Sequence, residues 1–304
     1  MVLLPVAVAC VWAGGWWFTA LCVLGWIGLG VEWSALCGFP AMSWPGIALP
    51  VSGALAVLCA ASGQPWAGLA LLAAGGLAAA ALGSSTLLPR HSKALPPRHP
   101  PAEPEDDALR SPAGALKNPR DALKNPGDRG AGVLPPSRIS LALGFPYLGL
   151  AAVALLWLRA DPVAGWPNTL FVLSVIWASD IGAYMAGRLA GGPKLAPSIS
   201  PGKTWSGAVG GLISAVLAAQ AVAACFSPGF SPSHVAGLAL GLSVVSQAGD
   251  LLESALKRHF GVKDSGHVIP GHGGLLDRLD ALLTVAPAAA LLALSVGRGV
   301  VLWR

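Results

Sequence analysis

From residue 1 to residue 89 the chain carries one charged side chain, Glu32. No water-soluble fold leaves so long a stretch without charge, whereas a bilayer demands it, because each charge held in hydrocarbon is costly. A helix that crosses the bilayer needs about 17–25 apolar residues. The stretch therefore predicts four spans, at 2–13, 16–36, 47–61 and 66–82, the first and third shorter than ideal. Trp16, Trp17 and Trp33 suit the membrane interface. Five further apolar runs follow, at 139–158, 168–185, 206–226, 234–252 and 279–296. The expected fold is all-α, a polytopic integral membrane protein of about nine transmembrane helices. A mean hydropathy of +0.65 fits that class. Gly and Ala abound in the runs, where small side chains let helices approach closely and would suit a homodimer.

Residues 84–138 interrupt the pattern with Pro, Arg, Lys and acids, and contain the sequence ALKNP twice, at 115–119 and 122–126. Such a segment can neither span nor build a core. It reads as a flexible, solvent-exposed insertion, a linker rather than a docking site. The chain thus divides into N-terminal spans (1–83), the insertion (84–138) and a C-terminal membrane region (139–304). Lys and Arg concentrate in the insertion and in the connections 188–203 and 257–278. With nine spans, all three fall on one face, which the positive-inside rule makes cytoplasmic. Arg298 and Arg304 then lie on the outer side, against the trend.

The net charge of +5 belongs to these connections. No long basic face interleaved with aromatics exists, so nucleic acid is not an expected partner. Cys10, Cys22, Cys37, Cys59 and Cys225 are scattered, without a CxxC pair, and predict buried thiols rather than a thiolate zinc site or disulfides. The N-terminus lacks the positive region of a cleavable signal peptide.

Ionisable groups cluster where apolar runs should exclude them. Asp180 sits inside the sixth run and should face a polar cavity or pair with Arg188. Lys194 and Lys203 flank a Pro- and Ser-rich turn that could bind phosphate, or simply be a basic loop. On one helix, Asp250, Ser254 and Lys257 share a face, flanked by Glu253 and Arg258. After a Gly/Pro-rich loop, Asp277 and Asp280 share a face of the last helix. Asp250 and Asp277 can therefore converge. Paired carboxylates with water and phosphate oxygens suit Mg²⁺. His259, His267 and His272 lack the spacing of a helical zinc pair, and His272 is better placed to orient a phosphate or shape the turn. Acids for a divalent cation ringed by lysines and arginines point to phosphoryl or nucleotidyl transfer. No P-loop is present.

The run S-x-L-K-R-x4-K-D-x-G-x2-I-P-x-H-G-G-L-x-D-R-L-D, from Ser254 to Asp280, resembles the signature of the phosphatidate cytidylyltransferase family, the CDP-diacylglycerol synthases. The motifs from Trp177 to Tyr184 and from Ser198 to Thr204 resemble two more family motifs in the expected order, and Glu32-Trp33 is reminiscent of the N-terminal part. The resemblance implies CTP and phosphatidic acid as substrates, with CDP-diacylglycerol and pyrophosphate as products. It implies a Mg²⁺-dependent site, with room for a second cation, in a bacterial inner membrane and facing the cytoplasm. On this reading Asp250 and Asp277 hold metal, and Lys257 and Ser254 join them in catalysis. Lys194, Lys203, Arg258, Lys263, His272 and Arg278 bind phosphates, and Asp180 and Asp280 are auxiliary. One departure matters: the family commonly has an acid where this chain has Ser206, and if that acid helps bind metal or nucleotide, this chain is weakened there or uses water in its place. Two other readings stand beside this one. A CTP-dependent lipid kinase would use Asp180 as base toward an alcohol. A transporter would use the buried charges as an ion path.

Overall fold

A computed structural model describes residues 3–81, 138–266 and 273–304. The expected insertion and His272 lie outside the described residues. Among the described residues the chain forms α1 (Leu3–Ala13), α2 (Gly15–Leu36), α3 (Trp44–Ala61), α4 (Pro65–Ala81), α5 (Arg138–Arg159) and α6 (Gly165–Ala190). A hairpin of β1 (Lys194–Ala196) and β2 (Ser200–Thr204) follows, then α7 (Trp205–Phe226), α8 (Pro232–His259) and α9 (Leu276–Val296).

The nine expected helices are all present among the described residues. Seven are long and apolar enough to cross a bilayer, so the protein is an integral membrane protein. The third run, expected to be short, gains a full turn because Ser43 caps it, accepting from the Gly46 N–H at 3.2 Å. By contrast α1 has 11 residues, about 16 Å of helix at 1.5 Å per residue, and is too short to cross. It stops at Gly14 and Gly15, whose φ angles of 64° and 50° belong to the left-handed region that glycine occupies freely. The Arg159 guanidinium closes the end of α1 by donating to the carbonyls of Val11 and Trp12.

Two apolar cores share one wall. Leu283, Ala286 and Ala290 of α9 pack among α2, α3 and α5, while Ala281, Val285, Ala289 and Ala293 pack among α6, α7 and α8. Both sets recur at helical spacing, and alanine keeps the wall thin enough for both cores to close on it. The tightest crossing is α6 on α7. A Cβ on Gly207 would stand 2.8 Å from the Ala183 carbonyl, and one on Gly210 would stand 3.0 Å from the Gly182 carbonyl. Ala183 and Gly187, one turn apart on α6, form the face that takes this contact.

The bundle has two distinct ends. The β-hairpin joins α6 to α7 and packs on α8, so the C-terminal ends of α6 and α8 and the N-terminal ends of α7 and α9 lie together. At the opposite end, Asp161 fastens the α5–α6 connection to the C-terminal tail.

Candidate functional site

Asp250 and Glu253 stand three residues apart on α8 and share a face with the start of α9. Carboxylate oxygens of Asp250, Glu253 and Asp280 all lie within 4.8 Å of one another. Glu253 is 1% exposed, and its Oε1 has no hydrogen-bond partner among the described residues. Asp180 on α6 is exposed and within electrostatic reach of Asp250, Asp280 and Lys203. Two lysines oppose these acids. Lys203 Nζ, brought in by β2, is 2.5 Å from Asp250 Oδ2. Lys257 Nζ is 2.8 Å from both Glu253 Oε2 and Asp277 Oδ1.

Asp277, expected beside Asp250 at an ion, is not one of the three clustered carboxylates. Besides Lys257 it accepts from the backbone N–H of Ser265, at 3.2 and 3.1 Å, and of Gly274, at 3.2 Å. An acid in the first turn of a helix that reaches back to preceding N–H groups is a local capping arrangement. It draws the side chain along its own helix, while Glu253, placed beside the active face in sequence terms, points inward. The i to i+4 pair of Glu253 and Lys257 was the available signal.

The remaining expected residues are spread around this centre. Ser254 is half-buried on α8, one turn beyond Asp250. Arg258 is exposed and donates to the carbonyls of Ile199, at the hairpin tip, and Val262. Lys194 pairs with Thr204 in the hairpin ladder, and Lys263 and Arg278 are exposed. Arg188 donates to the Tyr184 hydroxyl at 3.1 Å rather than to Asp180. Ser206 donates to the Gly191 carbonyl and lies 3.0 Å from the Thr204 hydroxyl, so it ties the base of the hairpin to α7. An ionised acid could not make that donation.

Two residues of the site end come from outside the expected set. The Tyr147 hydroxyl on α5 has no partner among the described residues and lies within electrostatic reach of Glu253 and Asp280. Glu32 on α2 is 2% exposed and receives the N–H groups of Leu275 and Leu276, each at 2.8 Å. The lone charge of the first 89 residues was legible as an anomaly, but its partners lie more than 240 positions away.

The donor set suits a hard divalent cation. Five carboxylates, Asp180, Asp250, Glu253, Asp277 and Asp280, face two lysines, and carboxylates crowded within a few ångströms repel unless positive charge joins them. The unpartnered Glu253 Oε1 provides a buried oxygen for such a charge.

A model of the cytidylyltransferase family matches residues 1–296 of the chain. A phosphatidate cytidylyltransferase of Brucella suis biovar 1 (strain 1330) is 52% identical over 145 residues, covering 48% of this chain and 53% of that protein. One from Staphylococcus saprophyticus is 40% identical over 154 residues, 51% of this chain and 58% of that protein. One from Staphylococcus aureus (strain COL) is 38% identical over 141 residues, 46% and 53% of the two chains. The chain thus spans about half the length of these curated relatives.

Proposed function

The chain belongs to the cytidylyltransferase family, and from that membership we propose that it joins CTP to phosphatidic acid, giving CDP-diacylglycerol and pyrophosphate. The observation that carries the reading is the cluster of Asp250, Glu253 and Asp280 carboxylates within 4.8 Å, flanked by Lys203 and Lys257. Its place at the shared end of α6, α7, α8 and α9 is where a water-soluble nucleotide can meet a lipid headgroup. The basic connections around it favour the cytoplasmic face of a bacterial inner membrane.

Mg²⁺ would be held by Asp250, Glu253 and Asp280, with Asp277 joining through the carboxylate it now gives to Lys257; Asp180 stands near enough to help a second cation. When bound, the cation neutralises phosphate oxygens and the departing pyrophosphate. The chain's own residues orient the rest. An oxygen of the phosphatidate phosphate forms a bond to the α-phosphorus of CTP, and the bond from that phosphorus to the bridging oxygen of the β-phosphate breaks. The bond electrons leave with pyrophosphate. A phosphate monoester is already ionised near neutral pH, so no strong base is needed. Lys203 and Lys257 can turn from the acids to phosphates, with Arg258, Lys194, Lys263, Arg278 and His272 completing the positive surround and Ser254 offering a hydroxyl. Positioning reactants in line supplies much of the rate.

The test is an assay of the purified chain in phosphatidate-containing nanodiscs with labelled CTP and Mg²⁺. Pyrophosphate and CDP-diacylglycerol are expected in equal amounts, and Asp250→Asn should lower turnover at least about 100-fold. Release of CDP with a phosphorylated lipid would identify the kinase reading instead. No consumption of CTP would remove both enzyme readings.

A further inference from the structure

We propose that Glu32, in the N-terminal half of the chain, is a positioning residue of the catalytic centre: it latches the start of α9 and thereby sets where Asp277 and Asp280 stand. The inference rests on the functional reading above but adds a residue which that reading does not use. The Leu275 and Leu276 N–H groups at the start of α9 find no acceptor in the N-cap residue, Leu275, whose side chain cannot accept, and Asp277 of the same helix takes Gly274 N–H instead. Glu32 supplies the missing acceptor from another helix. Oε1 accepts from Leu275 N–H and Oε2 from Leu276 N–H, both at 2.8 Å, and the Ser265 hydroxyl lies 3.3 Å from Oε2. One carboxylate therefore holds both described shoulders of the loop between α8 and α9. A Cβ on Gly266 would lie 3.0 Å from the Glu32 Cγ, so the near shoulder packs directly on the side chain.

The next residue fixes the latch itself. Trp33 donates from Nε1 to the Ser140 carbonyl at 2.9 Å. Its ring stands 5.4 Å from Tyr147 and meets Phe260, the C-cap of α8, edge-on at 6.1 Å. Helix α2 is thus tied to α5, to the end of α8 and to the start of α9. Asp277 and Asp280 lie one and four residues beyond Leu276. A shift in the first turn of α9 moves both, and shifts of about 1 Å can cost on the order of 100-fold in rate.

The test uses the full chain in nanodiscs and compares Glu32→Gln, Glu32→Asp and, as a control on α2, Thr19→Val. Thr19 is buried on α2 and bonds the Gly15 carbonyl of its own helix. Glutamine presents an N–H₂ group to one of two backbone N–H donors, and aspartate falls short by one methylene. Both are expected to lower kcat about 10- to 100-fold and to raise the Mg²⁺ concentration for half-activation. The KM for CTP should stay within about twofold, because only orientation of the acids is lost. Hydrogen exchange at Leu275 and Leu276 should quicken, while Thr19→Val matches the starting protein in every readout. Normal kcat in Glu32→Asp, or lost activity without faster exchange at those two amides, would overturn the proposal. A protein that makes no CDP-diacylglycerol would defeat the functional reading, and the exchange arm would still decide the latch.

Discussion

Lys257 stands 2.8 Å from both Glu253 and Asp277 and, on the proposed reading, is the cation with which a bound divalent ion would compete. Replacing it should separate two roles. In Lys257→Met the phosphate loses a partner, so turnover falls at least about 100-fold. The acids lose their competitor, so divalent affinity rises by about tenfold, a modest coupling. Titration with Mn²⁺ followed by electron paramagnetic resonance reads the second effect without turnover. Weaker Mn²⁺ binding in the variant would show that Lys257 supports the ion rather than opposing it. Ser206 gives a related lesson. Where the family commonly has an acid, its hydroxyl donates to the Gly191 carbonyl and secures the hairpin that carries Lys203.

Among the elements, α9 serves two cores and presents Asp277 and Asp280 at its first turns, so its placement is set by everything packed on either side. Helix α2, which meets the start of α9 through Glu32, is itself packed along α3. Gly53 of α3 lies directly over the Trp26 ring, where a Cβ would overlap ring atoms, and Trp26 Nε1 donates to the Leu49 carbonyl at 3.3 Å. The buried ring, 1% exposed, has nowhere to go. Gly53→Ala is therefore expected to destabilise the bundle by about 1–3 kcal/mol. A lowered thermal midpoint in detergent, with unaltered Mg²⁺ half-activation, is the expected result. An unchanged midpoint would mean that α2 and α3 can slide apart freely.

Across the whole molecule, the end remote from the acids is closed by Asp161. Its Oδ1 accepts from the N–H groups of Val163, at 3.0 Å, and Ala164, at 2.8 Å, and its Oδ2 from Gly299 at 2.7 Å. Arg298 lies 3.7 Å from Oδ2 and also covers the Trp157 ring. That pairing explains how a basic residue comes to sit at the end opposite Lys203 and Lys257. Burial would push the Asp161 carboxyl up, but three N–H donors and Arg298 together hold it below the usual value of 3.8. The carboxylate therefore contributes stability that is fully present above the unfolded value and is lost as pH falls through the lower folded value. Asp161→Asn is expected to cost about 1–3 kcal/mol at neutral pH. It should also flatten the fall in thermal midpoint below about pH 4, which measurement across an acid series in detergent would check. An equally steep fall in the variant would place the acid sensitivity elsewhere.

The sequence by itself determined the class of fold, because spans of apolar residues admit only helices in a bilayer, and it located nearly every helix to within a turn or two. It also marked where to look for a site, since acids and lysines written into otherwise apolar helices are costly there. Which carboxylates lie closest together was not legible. Helical spacing places Asp250 and Asp277 on facing sides, but only the packed structure decides that Asp277 turns back onto Ser265, Gly274 and Lys257 while Glu253 and Asp280 turn toward Asp250. Those choices depend on which backbone N–H groups lie unpaired nearby, a matter of local geometry. Glu32 is the extreme case. Its oddity is visible in the first line of the sequence, yet its purpose exists only once α2 is laid beside a helix start whose N-cap residue, Leu275, cannot accept, because N–H groups left over at a helix end take their partner from whatever the fold brings alongside.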